Sequence, residues 1–111
     1  MGRIYALAAA VAKVESAGDP LAFNRKENAA GILQIRPIML AEINRICGTS
    51  FKLEDRFDEK KSIQMFVLLQ QKINPGMNQE YGARVWNGGY KGMDKKSTAK
   101  YWRKVKKHLK S

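Results

Sequence analysis

Apolar residues recur at spacings of three and four along most of this chain, and each such run stops at a residue that ends a helix. Ile4, Leu7, Val11 and Val14 form the first stripe and predict a helix from about Arg3 to Ala17. Gly18 supplies a C-terminal stop and Pro20 forbids continuation. A loop follows through Asp19-Pro20 to Asn28, in which Leu21, Ala22, Phe23 and Asn24 show no clear period. Ala29 to Ile35 is apolar apart from Gln34. An amide in that setting must find partners or face a cleft, because burying it unpaired costs about 1–3 kcal/mol. Pro37 fits the first position of the next helix, Met39, Leu40, Ile43, Ile46 and Cys47 give it a buried side, and Gly48 ends it. A polar connector crosses Thr49 to Arg56. Asp58 caps a long helix carrying Ile63, Phe66, Val67, Leu69 and Gln70 as far as Ile73, before the stop Asn74-Pro75-Gly76. Asn78 caps a short helix from Gln79 to Trp86, which runs into the turn Asn87-Gly88-Gly89, where backbone can approach a ligand closely. The last helix starts at Ser97 or Thr98 and carries Tyr101, Trp102, Val105 and Leu109 on its apolar side. No strand, repeat, linker or low-complexity segment is evident. The expectation is one compact all-α domain over residues 1–111, with about five to six helices.

Composition sharpens this picture in three places. With 111 residues, 44% hydrophobic and 28% charged, the chain can fold around one modest core. No apolar run approaches the roughly 20 residues needed to span a bilayer. Ile4 to Val14 has the length of a signal-peptide core, but no cleavage pattern follows it, so it reads as mature helix and no signal peptide is visible. The single cysteine, Cys47, permits no internal disulfide and falls on an apolar helical face as a core thiol. His108 is the only histidine, so neither a structural zinc site nor a Ser-His-Asp triad is expected, and no metal or cofactor is called for. The net charge of +11 is uneven: nine of the 21 Lys and Arg residues lie in residues 91–111, beside one acid, Asp94. Such a basic helix is either a solvated face or a surface for a polyanion, whether nucleic acid, an anionic wall polymer or a membrane.

Glu15 carries the sharpest chemistry. At about 100° per residue it lies roughly 20° from Ala8 and roughly 40° from Val11, so its carboxylate leaves the helix at the edge of the buried face. Desolvation there raises a carboxyl pKa, which a general acid working near neutral pH requires. The plain alternative is a boundary glutamate with its head in water. Gln34 and Ser16 have plain alternatives too, a capping amide and a hydroxyl bonded to the helix end.

Four stretches in order then combine: Glu15-Ser16; Gly31-Ile32-Leu33-Gln34-Ile35-Arg36-Pro37; Trp86-Asn87-Gly88-Gly89; and Thr98-Ala99-Lys100-Tyr101-Trp102-Arg103-Lys104-Val105. Together they resemble the soluble lytic transglycosylase (SLT) domain family, whose patterns run Glu-Ser, Gly-Leu-Met-Gln-Ile-x-Pro, Ala-Tyr-Asn-Gly-Gly and Thr-x-x-Tyr-x-x-x-Val. That family shares a lysozyme-like α fold with goose-type lysozymes. The resemblance implies cleavage of the β-1,4 bond between N-acetylmuramic acid and N-acetylglucosamine in peptidoglycan strands. Glu15 would act as general acid and then as base, forming a 1,6-anhydromuramic product. Ser16 and Gln34 would contact the sugar near the cleaved bond, Asn87 would reach it from the Gly-Gly turn, and Tyr101 would line the cleft or steady Glu15. Trp86 stands where the family usually has Tyr; its indole either stacks on a sugar or belongs to the core. Leu33 replaces a common Met, a volume-conserving change. Glu27 is the residue that would serve as a second carboxylate acting on water, which would make the chain a hydrolytic, goose-type-like muramidase. A basic helical nucleic-acid-binding module is the competing reading of another class; it uses Tyr101, Trp102 and the basic tail but none of the other motifs. Under the resemblance the partners are glycan strands and, through the basic C-terminal helix, anionic envelope polymers. Nucleic acid is not expected. The chain is expected to be a monomer in the cell envelope, periplasmic or extracellular, or delivered by a phage.

Overall fold

The computed structural model describes residues 2–109. Five α-helices carry the fold: α1 (Gly2–Ser16), α2 (Pro37–Cys47), α3 (Glu59–Ile73), α4 (Gln79–Gly88) and α5 (Lys96–Leu109). Two short 3-10 turns, Leu53–Phe57 and Gly92–Asp94, precede α3 and α5. The all-α expectation therefore holds, with bounds close to those predicted. The caps are where the sequence puts them: Asp58 accepts a hydrogen bond from the Lys61 amide, Asn78 accepts one from the Tyr81 amide, and Gly48 closes α2 in the left-handed conformation.

One expectation needs correcting. The loop read as far as Asn28 holds a short strand, because β1 (Phe23–Asn24) pairs antiparallel with β2 (Ala29–Ala30), and Ala30 also bridges Ile35. Strands of two residues are too short to show an alternating pattern; backbone pairing, not side-chain periodicity, makes them.

α1 is the central element and packs against α3, α4 and α5. Its buried side is built of Ile4, Leu7 and Val11 interleaved with Ala8, Ala10 and Ala12, and the alanines let neighbouring helices come close. Phe66 and Met65 of α3 and Ile43 of α2 complete the interior with Leu33 and Ile35. At Gly82 a β-carbon would sit 2.6 Å from the Gln70 side-chain oxygen and 2.9 Å from a Leu7 methyl group, so α4 needs glycine there to reach α1 and α3. Gln70 is fully buried, but it donates to the Gly82 carbonyl at 3.3 Å and accepts from Asn74 at 2.9 Å, which leaves the buried amide satisfied. α5 lays Thr98, Tyr101 and Val105 on the core; Trp102 and Leu109 pack partly buried beside them.

Candidate active site

Helix α1 ends beneath a polar cleft of about 330 Å³, and Glu15 on its last turn lines that cleft. The helix stops because Ala17 and Gly18 both take positive φ, at 55° and 80°, so the chain turns away one residue earlier than glycine alone predicts. Glu15 is half-buried. The Tyr101 hydroxyl, from α5, donates to Glu15 Oε2 at 2.8 Å. Of the two roles expected for Tyr101, it takes the bond to Glu15. Burial pushes the Glu15 carboxyl above the usual glutamate range; the Tyr101 hydrogen bond and the Arg36 cation pull it back, and the Glu27 carboxylate adds to the rise. Burial and the adjoining Glu15 also push the Tyr101 phenol up, so it remains a donor throughout the ordinary pH range.

The opposite wall comes from the segment after β2. Ile35 pairs back to Ala30 through two backbone hydrogen bonds of 3.1 and 2.9 Å, so Gly31-Ile32-Leu33-Gln34 forms a tight turn closed by the Gln34 amide on the Gly31 carbonyl. Ile32, Leu33 and Ile35 enter the core, whereas Gln34 faces the cleft. Gly31 has φ +82°, and a β-carbon there would collide with the Arg56 carbonyl, so this position demands glycine. Gln34 itself holds φ +52°, an uncommon backbone for a residue with a side chain. Its Nε2 donates to the Ala22 and Gly31 carbonyls at 3.2 and 3.0 Å, so the turn is braced by the side chain that lines the cleft. The sequence argument offered partners or a cleft for this amide; it has both.

Arg56 holds the turn from behind. Its guanidinium is buried with no acidic partner among the described residues and donates to the carbonyls of Leu53, Asn28 and Ile35 at 2.8, 2.8 and 2.9 Å. Sequence reasoning left Arg56 in a polar connector. No local signal marks a cation whose partners lie 21 and 28 residues away. Arg36 and Asn24, which also line the cleft, were missed as well; Arg36 carried a signal in its place within the Gln-Ile-x-Pro stretch, Asn24 none.

Asn87 and Glu27 complete the polar rim, Asn87 from the end of α4 and Glu27 from the hairpin. Asn24 accepts a hydrogen bond from the Glu27 amide at 3.3 Å, which ties the hairpin turn together. Ser16 is not part of the lining. Its hydroxyl donates to the Ala12 and Ile32 carbonyls, at 3.2 and 2.8 Å, and accepts from the Asp19 amide at 3.1 Å. That set of bonds uses Ser16 to bind the end of α1 to the Gln34 turn. Trp86 is 3% exposed, packs edge-on against Phe66 with ring centres 4.8 Å apart, and donates from Nε1 to the Leu33 carbonyl at 3.4 Å. It is a core residue with an edge in the cleft.

A second, largely apolar groove of about 350 Å³ adjoins the first and shares Arg36, Met39 and Trp86 with it. At its mouth the Tyr90 hydroxyl donates to Glu42 at 2.5 Å. Hydrogen bonds from Arg45 and Tyr90 hold the Glu42 carboxyl down to about 2, and burial together with Glu42 pushes Tyr90 up to about 12. Among the described residues no group of three His, Cys, Asp or Glu side chains is placed to hold a metal ion. Among the described residues no helix is long and apolar enough to cross a membrane.

The Transglycosylase SLT domain matches residues 3–109, nearly the whole chain. Among curated protein sequences and among solved structures nothing matches. With one family covering the fold from α1 to α5, and every motif of that resemblance carried on this single domain, the chain belongs to the transglycosylase SLT domain family, whose activity is directed at peptidoglycan.

Proposed function

We propose that residues 1–111 form the catalytic domain of a peptidoglycan lytic transglycosylase with Glu15 as its single acid and base. The observation that carries the reading is the half-buried Glu15 carboxyl, raised by desolvation, held by the Tyr101 hydroxyl at 2.8 Å and open to a cleft on its other side. Protonated Glu15 gives its proton to the bridging oxygen as the bond from muramic C1 to that oxygen breaks, and N-acetylglucosamine leaves as an alcohol. The carboxylate so formed then takes the proton of the muramic C6 hydroxyl while that oxygen closes on C1. The product is a 1,6-anhydro ring, no water is consumed, and Glu15 returns to its starting state. The substrate's own 2-acetamido group can steady the positive charge at C1, so a second carboxylate is unnecessary, unlike in two-carboxylate glycosidases. Gln34 offers an amide oxygen to the sugar beside the cleaved bond, and Asn87 a second amide from the far rim. Ser16 supports the site through backbone bonds.

A second reading is favoured by one observation: Glu27 lines the same cleft as Glu15. In that reading Glu27 activates water and the product is a reducing end, as in a hydrolytic muramidase. Mass analysis of digested glycan strands separates the two, since an anhydro end is lighter than a reducing end by one water. Anhydro ends support the transglycosylase; reducing ends that vanish in Glu27→Gln support the hydrolase. Wall binding with no released fragments would leave an inactive binding domain. Glu15→Gln is expected to lose about 10²–10⁴ in rate with the fold kept; wild-type turnover by that variant removes Glu15 from the mechanism. The domain acts as a monomer at the cell envelope, held near its substrate by the basic helix α5.

A further inference from the structure

The basic excess of the chain is concentrated in residues 91–111, which hold nine of its 21 Lys and Arg residues. Helix α5 carries six Lys or Arg residues and no acid. Lys96, Lys100, Arg103 and Lys107 recur at steps of four, three and four, so they fall within an arc of about 60° and climb roughly 16 Å along the helix axis. Lys104 and Lys106 flank this row on either side. All six are exposed, and none forms an ion pair within the described residues. The buried residues Thr98, Tyr101 and Val105 lie about 160° around the helix from the row. The ridge therefore stands straight out into solvent, on the side of α5 turned away from Glu15.

We propose that this ridge docks a linear phosphodiester polymer of the cell envelope. The envelope setting rests on the peptidoglycan reading above; the polymer chemistry rests on α5 alone. The four cations of the row, about one per turn and with Lys104 and Lys106 beside them, give a track for one extended polyanionic strand. Duplex nucleic acid presents a denser charge, about one per 1.7 Å of axis, along two strands. Single-stranded nucleic acid is bound by aromatic platforms as well as charge. The aromatic residues of α5 are withdrawn from that use: Tyr101 is buried and bonded to Glu15, and Trp102 packs partly buried against the core. Charge without an exposed stacking platform fits a polymer that has phosphates and no bases.

The test measures binding of a defined poly(glycerol phosphate) chain over a range of salt concentrations. The ridge variant changes Lys96, Lys100, Arg103 and Lys107 to Gln, which keeps helix propensity. A control variant changes Lys13, Lys60, Lys72 and Lys91 to Gln and removes the same net charge from elsewhere. The wild type should bind with a steep loss of affinity as salt rises. The slope of log affinity against log salt should fall by about 3 in the ridge variant, at about 0.7 per phosphate neutralised on a single strand, and by less than 1 in the control. Equal falls in both variants overturn the proposal, because the chain then binds by net charge. So does tenfold tighter binding of single-stranded or duplex DNA at equal phosphate, which would make the ridge a nucleic-acid surface. Cleavage of short soluble glycans by the ridge variant should match the wild type; a loss would place the ridge in the catalytic machinery and also overturn the proposal. The binding readout needs no catalysis, so it stands or falls apart from the role of Glu15.

Discussion

Tyr101→Phe removes one atom, the hydroxyl 2.8 Å from Glu15 Oε2, and leaves a ring of nearly the same shape against the core. A hydrogen bond to a charged group contributes about 1.5–3 kcal/mol, and one to a neutral group about 0.5–1.5 kcal/mol. The Tyr101 hydroxyl therefore favours ionised over neutral Glu15 by roughly 1–1.5 kcal/mol. At 1.36 kcal/mol per tenfold, that is a factor of about 5–12 in the ratio of the two forms. Burial has already raised the Glu15 carboxyl, and the Tyr101 bond is the largest of the influences pulling it back. Its removal must raise the carboxyl further. Since catalysis begins from protonated Glu15, the alkaline fall of kcat/KM on a solubilised glycan should move to higher pH. At a fixed pH on that falling limb, Tyr101→Phe should keep about 5–12 times more of its own acid-plateau rate than the wild type keeps of its plateau. The plateau itself should drop, because the carboxyl has lost the group that orients it. A limb that stays in place, or moves toward acid, would show that Tyr101 does not hold the ionised carboxylate and would refute the assignment of Glu15 as the proton donor in this cleft.

The remaining expectations concern stability as well as rate. Because burial raises Glu15 in the folded state, the folded chain prefers the neutral carboxyl; that stability is whole below the unfolded glutamate value of 4.5 and is lost as pH rises through the raised folded value. Glu15→Gln lacks this loss, so its Tm should gain on the wild type as pH is raised, and a Tm difference constant with pH in melting curves would contradict the burial argument. Arg56→Met leaves the carbonyls of Leu53, Asn28 and Ile35 without their donor and should cost about 3–5 kcal/mol in urea unfolding; a cost under about 1 kcal/mol would mean that the turn does not depend on it. Trp86→Phe loses the bond to the Leu33 carbonyl and part of a buried ring, about 1–3 kcal/mol, but at 3% exposure it presents only an edge to the cleft. KM for soluble glycan should therefore change less than about twofold at a temperature where the variant is folded; a tenfold rise would restore the sugar-stacking role.

The five helices were legible because each rests on a local period and a local stop. Ile4 to Val14, the caps Asp58 and Asn78, and Gly48 all act within one turn of themselves. Glu15 was legible as a position at the edge of a buried face, but its surroundings were not, since the Tyr101 hydroxyl comes from 86 residues away. Only the resemblance linked the two. The bond from Ser16 was hidden for a related reason: nothing local reveals that the Ile32 carbonyl, 16 residues on, lies 2.8 Å from its hydroxyl.

These long-range bonds divide the site into two mechanical halves. Glu15 and Tyr101 ride on α1 and α5, two helices packed directly on one another. Gln34 rides on a four-residue turn whose shape depends on Gly31, on three carbonyls held by Arg56 and on the Ser16 hydroxyl from α1. A fault between α1 and α5 should therefore appear first in proton transfer, as an altered pH profile with substrate affinity retained. A fault behind the turn should loosen Gln34 and weaken sugar binding while the titration of Glu15 is little changed. Ser16 ties the two halves together by hydrogen bonds, because it bonds back to Ala12 of α1 immediately after Glu15 and holds the turn at Ile32. A serine there is explained by what it joins, with no contact to sugar required.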